Sequence, residues 1–204
     1  LWSAAAGQTM YRMMHFLGLT DKVRLSALDT AGYDTIALAG EGFRFPNGWE
    51  AFVEQMAGYF PKEKDNLRRY ASLVQRIALA SSPESLTSAQ RDLAASTEYQ
   101  TRSINGVLEE LFSDELLRNV LVGNLPLYAA ERDKTPFSQH AFIIDSYNQS
   151  AFRVVGGSDV IAQSLAGSIQ EMGGEVLAGK KVCRILCDAT KAIGVETADE
   201  CFYP

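Results

Sequence analysis

The sequence predicts a mixed α/β (α+β) fold, with helices through its middle and a compact β end. Three observations point there. Apolar residues recur at helical spacing through most of residues 49–147, residues 33–45 read as two short strands around a glycine-rich turn, and the last quarter reads strand, glycine turn, amphipathic helix, glycine stop, strand. With 204 residues, 47% hydrophobic and 22% charged, the chain can bury a substantial core as one large domain or two small ones.

Taken in order, residues 2–17 are rich in Ala and Met and predict a helix that Gly18 stops. Residues 23–38 turn extended, with Tyr33, Ile36 and Leu38 among the β-formers. Ala39, Gly40, Glu41 and Gly42 supply turn chemistry, and Phe43, Arg44 and Phe45 alternate apolar and polar, so residues 33–45 read as a β-hairpin. Arg44 points opposite to both phenylalanines and is expected in solvent. Phe52, Val53, Met56 and Tyr59 then share one helical face. Pro61 suits the first turn of a further helix, and Leu67, Tyr70, Val74, Ile77 and Ala78 form its apolar stripe.

A loop is expected at residues 81–85, and residues 86–130 read as mostly helical. Within them, 101–112 and 114–121 are two helices, with Ser113 as N-cap of the second. Residues 136–147 form another apolar helix and 152–155 a strand. Val160, Ile161, Leu165, Ile169 and Met172 mark a helix of about four turns, stopped at Gly173 and Gly174. Residues 175–186, 192–197 and 201–203 are extended. The apolar pattern of Val182, Ile185 and Leu186 predicts a central strand covered on both faces.

A net charge of -6 argues against a nucleic-acid partner, the only basic clusters being residues 62–69, mixed with acids, and Lys180 with Lys181. No apolar run approaches the roughly 20 residues that span a bilayer. Leu1 has neither an initiator Met nor a basic flank after it, and is expected to be a cut end rather than the start of a signal peptide. Cys183 and Cys187 share one strand at about 13 Å, beyond disulfide reach. With Cys201 they read as free thiols, which suits the cytoplasm. His15 and His140 lie far from the cysteines, so no metal site is expected, and each is read as a hydrogen-bonded structural histidine. No nucleophile, base and acid stand at a telling spacing, so no catalytic residue is assigned.

The strand at Phe152, the glycine pair Gly156 and Gly157, the helix to Gly173 and Gly174, and then Glu175, Val176, Val182 and Ile185 form a pattern. It resembles the FAD-dependent phytoene desaturase, carotenoid isomerase and retinol saturase family. The hairpin at 33–45 and residues 49–61 are also similar to that family. The resemblance covers residues 150–204 well, 28–48 loosely and 60–70 weakly. It implies an internal piece of a flavoprotein oxidoreductase: residues 1–156 a substrate-binding-type domain built on an antiparallel sheet with helices, residues 157–204 a partial FAD-domain lobe. The backbone of Val182 would grip the adenine of FAD. The substrate implied is a lipophilic polyene, desaturated, saturated or isomerised, in an apolar groove between the hairpin and the helices. Phe43, Phe45, Trp49, Phe137, Phe142 and Tyr147 are the candidate lining, with core packing the competing role for each.

The Gly-x-Gly-x-x-Gly turn that cradles a pyrophosphate does not occur; Gly40 and Gly42 are the nearest approach. The piece by itself is therefore expected to be inactive and to bind no FAD tightly. A peripheral membrane association is compatible with a lipophilic substrate, and the oligomeric state is open. The rival is a non-enzymatic module that binds an apolar ligand or a protein and has no flavin site.

Overall fold

The computed structural model describes residues 1–81, 93–199 and 202–203, and divides into two units, Leu1–Ser158 and Asp159–Pro204. Both helices and antiparallel strands are present, as the sequence predicts.

In the first unit, α1 (Thr9–Phe16) begins later than the composition suggests, because the chain before it turns, with Ser3 and Gly7 at positive φ and the Gln8 amide donating to the Ala5 carbonyl. Trp2 bridges Ala151, and the Leu1 ammonium donates to the Phe152 carbonyl at 2.7 Å. β1 (Leu25–Ala27) pairs antiparallel with β4 (Phe152–Val154), so the start of this unit is tied to its end. β2 (Asp34–Leu38) and β3 (Glu41–Phe45) form the expected hairpin, with Leu38 opposite Glu41. Its two-residue turn, Ala39 and Gly40, has φ of 54° and 81°, the left-handed pair that matches strand twist. Glu41 and Gly42, read as turn residues, belong to the second strand.

Helices carry most of the core. α2 (Trp49–Tyr59) buries Phe52, Val53 and Met56, and a 3₁₀ turn at Pro61–Glu63 leads into α3 (Lys64–Ser81). α3 buries Leu67, Tyr70, Ala71, Val74, Ile77 and Ala78, the predicted stripe, and packs along α7 (Phe137–Gln149). Past Ser81, which ends α3, the predicted loop lies outside the described residues. α4 (Leu93–Thr101), α5 (Ile104–Leu111) and α6 (Glu115–Leu121) complete the helical layer, and a second 3₁₀ turn occupies Leu125–Tyr128.

The cap of α6 corrects the sequence reading. Asp114, not Ser113, accepts from the Leu117 amide, at 3.0 Å. Ser113 is drawn away by Glu63, a buried carboxylate whose Oε1 accepts from the Ser113 amide (2.9 Å), the Ser113 hydroxyl (2.7 Å) and the Asp114 amide (2.9 Å). Asn66 donates to Oε2 at 2.6 Å. Burial pushes the Glu63 pKa up, but the bonds from Asn66, Ser113 and Asp114 outweigh it and the net shift is downward.

At the centre lies His140, fully buried. The Tyr70 hydroxyl stands 3.1 Å from its Nε2 and the Tyr128 hydroxyl 2.7 Å from its Nδ1, so both ring nitrogens are satisfied. Phe137 packs its ring 5.7 Å from the imidazole. Desolvation drives the His140 pKa down to about 3, so the ring is neutral.

The second unit holds α8 (Asp159–Glu171), ended by Gly173 at φ 82°, and a sheet in the order β5 (Val182–Cys187), β6 (Ala192–Thr197), β7 (Phe202–Tyr203), all antiparallel. Residues 175–181, predicted extended, form no strand. β5 is not the covered central strand the sequence predicts. Among the described residues it pairs with β6 alone, and Val182 and Ile185 are 51% and 65% exposed. Cys183 and Cys187 are exposed free thiols; Cys201 lies outside the described residues.

His140 sets a testable pH dependence. Its folded pKa lies below the ordinary 6.5, so its contribution to stability is complete above that value and is lost as pH falls toward about 3. His140→Leu, which leaves the buried Tyr70 hydroxyl without its partner, should cost about 1–3 kcal/mol at neutral pH and flatten the loss of stability between pH 6.5 and 3. Urea titrations of both proteins at several pH values measure this. Parallel curves would show that His140 does not carry the acid response.

Candidate functional site

Two of the six candidate lining residues come together. Gly48, at φ 88°, turns the chain into α2 and donates its amide to the Asn148 carbonyl at 2.9 Å. Asn47 Nδ2 donates to the Tyr147 carbonyl at 2.8 Å. These bonds fix the start of α2 beside the end of α7 and set Trp49 over α7, where its Nε1–H donates to Asp145 Oδ1 at 2.8 Å. Phe142 lies three residues before Asp145, on the same helical face, and takes the edge of Trp2 at 5.8 Å between centroids. Gln149, one turn after Asp145, donates to its Oδ2 at 2.8 Å.

Trp49, Phe142, Asp145 and Gln149 line a cleft of about 470 Å³, closed on one side by Gln75 and Leu79 of α3. Burial raises the Asp145 pKa, and the bonds from Trp49 and Gln149 offset part of that rise. The cleft thus offers two aromatic walls and one carboxyl that holds its proton more readily than an ordinary aspartate, with Arg12, Gln8 and Thr9 adding polar lining. Such a site can lay an apolar chain along the rings and orient a hydroxyl at the carboxyl. Asp145 was not singled out in the sequence, although it is the one charged residue of α7.

The other candidates lie elsewhere. Phe43 and Phe45 are buried in the core, Phe43 against Tyr59 and Phe60, and Phe45 against Phe52. Phe137 is buried between Tyr70 and Tyr99. Tyr147 stacks on Tyr33 with centroids 6.3 Å apart. The hairpin also meets the helical layer closely, since a Cβ on Gly123 would lie 2.6 Å from Ile36 Cγ2. At these residues, hairpin and helices interlock where the sequence predicts facing walls of a groove. Arg44 is exposed as expected and pairs with Asp29 at 2.7 Å.

In the second unit, Val182 stands opposite Thr197, and the Ala198 amide donates to the Lys181 carbonyl at 2.8 Å. That is the bonding of a non-hydrogen-bonded antiparallel pair, so the N–H and C=O of Val182 point away from β6, toward the open side of β5.

No family model matches the chain. It is 30% identical to the all-trans-retinol 13,14-reductase of Rattus norvegicus, over 87% of this chain and 33% of that protein. The human and Danio rerio proteins of the same name are 28% and 27% identical, over 87% and 75% of this chain. The chain spans about a third of the length of these curated relatives. The resemblance to the retinol saturase family read from the sequence is borne out by these matches. Among solved structures, RAB GDI from Plasmodium falciparum is similar at a TM-score of 0.47 and 12% identity, over 99% of this chain and 46% of that one.

The cleft can be tested through its indole. In a Trp2→Phe background Trp49 is the single tryptophan, and its emission should titrate with Asp145 at a midpoint above the ordinary 3.8. Because the folded pKa is raised, ionisation costs stability as pH rises through it. Asp145→Asn should abolish the emission change; a surviving titration would assign it to another group.

Proposed function

We propose that this chain is a middle portion of an FAD-linked oxidoreductase that acts on a lipophilic polyene, with reduction of a retinol-like substrate the closest reading. The carrying observation is the similarity to all-trans-retinol 13,14-reductases along 87% of the chain. In this reading the first unit serves the substrate side and the second is a lobe of the flavin domain.

The residues of the second unit suit a cofactor lobe in one respect and are incomplete in another. Val182 directs both backbone hydrogen-bonding groups to an open strand side, where an adenine edge could pair with them. No glycine-rich pyrophosphate cradle occurs in the sequence. The flavin, when bound, supplies the hydride chemistry. The chain's own residues bind and orient. Trp49 and Phe142 hold the apolar chain, and Asp145, whose pKa burial raises, hydrogen-bonds the terminal hydroxyl. Phe43, Phe45 and Phe137 act from behind, as the packed core that fixes α2 and α7.

Exposed apolar surface on the second unit gives further support. α8 buries none of its residues fully, and Ile169, Met172, Val176, Leu177, Val182, Ile185 and Ile193 remain exposed. Those side chains are patterned to face further layers of a larger domain.

Protein expressed from the complete reading frame that contains these residues should carry flavin and reduce all-trans-retinol when supplied with electrons. The 204 residues alone should remain colourless. In the complete protein, Trp49→Ala with Phe142→Ala should raise KM for retinol by roughly tenfold or more while flavin content stays constant. A complete protein without flavin would sink the oxidoreductase reading. An unchanged KM would remove the cleft from it and leave the rest standing.

A further inference from the structure

Beside its core face, α3 presents Arg69, Leu73 and Arg76, spaced i, i+4, i+7 and therefore aligned in one stripe. Arg68 borders the stripe. Tyr99, at the end of α4, and Arg102, just beyond it, face it, and together with α5 they enclose a groove of about 570 Å³. Its floor is apolar: Val107 is buried, and Leu73 and Leu111 are partly buried against the core. Four guanidinium groups and one carboxylate, that of Glu110, line this space in a chain whose net charge is -6.

Two of the four are already neutralised. Arg102 pairs with Glu98 at 3.2 Å and with Glu110 at 2.5 Å, and its guanidinium lies 5.1 Å from the Tyr99 ring centroid. Arg68 pairs with Asp65 at 2.8 Å. Arg69 and Arg76 make no ion pair among the described residues, and Arg69 has one long bond, to Asn66 Oδ1 at 3.4 Å. Two arginines without an ion pair among the described residues thus occupy helix positions about 10 Å apart along the axis, with an apolar floor beside them.

We propose that this groove binds an amphiphile with an oxyanion head, a carboxylate or phosphate monoester on an apolar tail. A guanidinium offers paired N–H donors that match the oxygens of either head, and Leu73, Val107 and Leu111 accept the tail. The site is distinct from the Trp49 cleft and does not depend on the flavin reading.

Calorimetric titration of the full chain with laurate, dodecyl phosphate, dodecanol and inorganic phosphate, each below its micelle-forming concentration where it has one, tests the proposal. At least one amphiphilic anion should bind about tenfold or more tighter than both dodecanol and inorganic phosphate. The stronger of the two identifies the head group. Arg69→Gln with Arg76→Gln should weaken binding about tenfold or more, while Lys62→Gln, which removes an exposed charge elsewhere, should leave it unchanged. Circular dichroism checks that the variants are folded. Equal binding of dodecanol, equal binding of inorganic phosphate, or retention of affinity in the double variant would each overturn the proposal.

Discussion

The first unit depends on keeping one neutral imidazole satisfied out of reach of water. His140 has no exposed surface, and among the described residues the Tyr70 and Tyr128 hydroxyls alone reach its two nitrogens. A buried donor or acceptor left without a partner costs about 1–3 kcal/mol, so α3, α7 and the 3₁₀ turn at Leu125–Tyr128 have little freedom to slide past one another. Around this polar point the packing is aromatic, with Tyr70 touching Trp49, Phe52, Phe112 and Phe137. The same side chain therefore anchors the core and backs the Trp49 wall of the cleft. Glu63 plays the equivalent part at the far end of α3, where one carboxylate organises the entry to α6.

With α3 so fixed, its three faces acquire different jobs. At about 100° per residue, Leu67, Tyr70, Val74 and Ile77 form the core face, Gln75 and Leu79 turn to the cleft, and Arg69, Leu73 and Arg76 turn to the basic groove. A shift of the helix by one residue would move a guanidinium toward the interior, which burial of an unpaired charge forbids. The satisfied histidine and the segregated arginines thus enforce the same register, and the cleft inherits its geometry from both.

Much of this was legible in the sequence because period alone decides it. The stripe of α3, the hairpin strands, and the extent of α7 and α8 follow from spacing and from glycine and proline. What escaped depended on residues distant in the chain. Ser113 and Asp114 are both good caps, and Glu63, fifty residues earlier, decides between them. Phe43, Phe45 and Phe137 have the composition of a binding wall and of a core alike, and only packing partners such as Phe60, Phe52 and Tyr99 tell the two apart. Asp145 carried a readable signal, a single charge in an otherwise uncharged helix, but its raised pKa comes from burial by parts of the chain distant in sequence.

The misreading of β5 is the most informative, because the pattern was right and the surroundings differ. Val182, Ile185 and Leu186 place apolar groups on both faces of the pleat, the signature of a strand inside a layered sheet. Among the described residues the strand has one neighbour, and α8 beside it in sequence carries apolar positions that are nowhere fully buried. Full burial of a Val, Leu or Ile is worth about 1.5–3 kcal/mol, so the exposed apolar side chains of this unit leave several kcal/mol of burial unrealised. A unit patterned in that way is most stable with further layers packed on it. The backbone of Val182, directed to the open side of the strand, then does two things at once: it offers a pairing edge for another strand or for a flat heterocycle, and it makes the uncovered unit prone to associate with a second copy until that edge is filled.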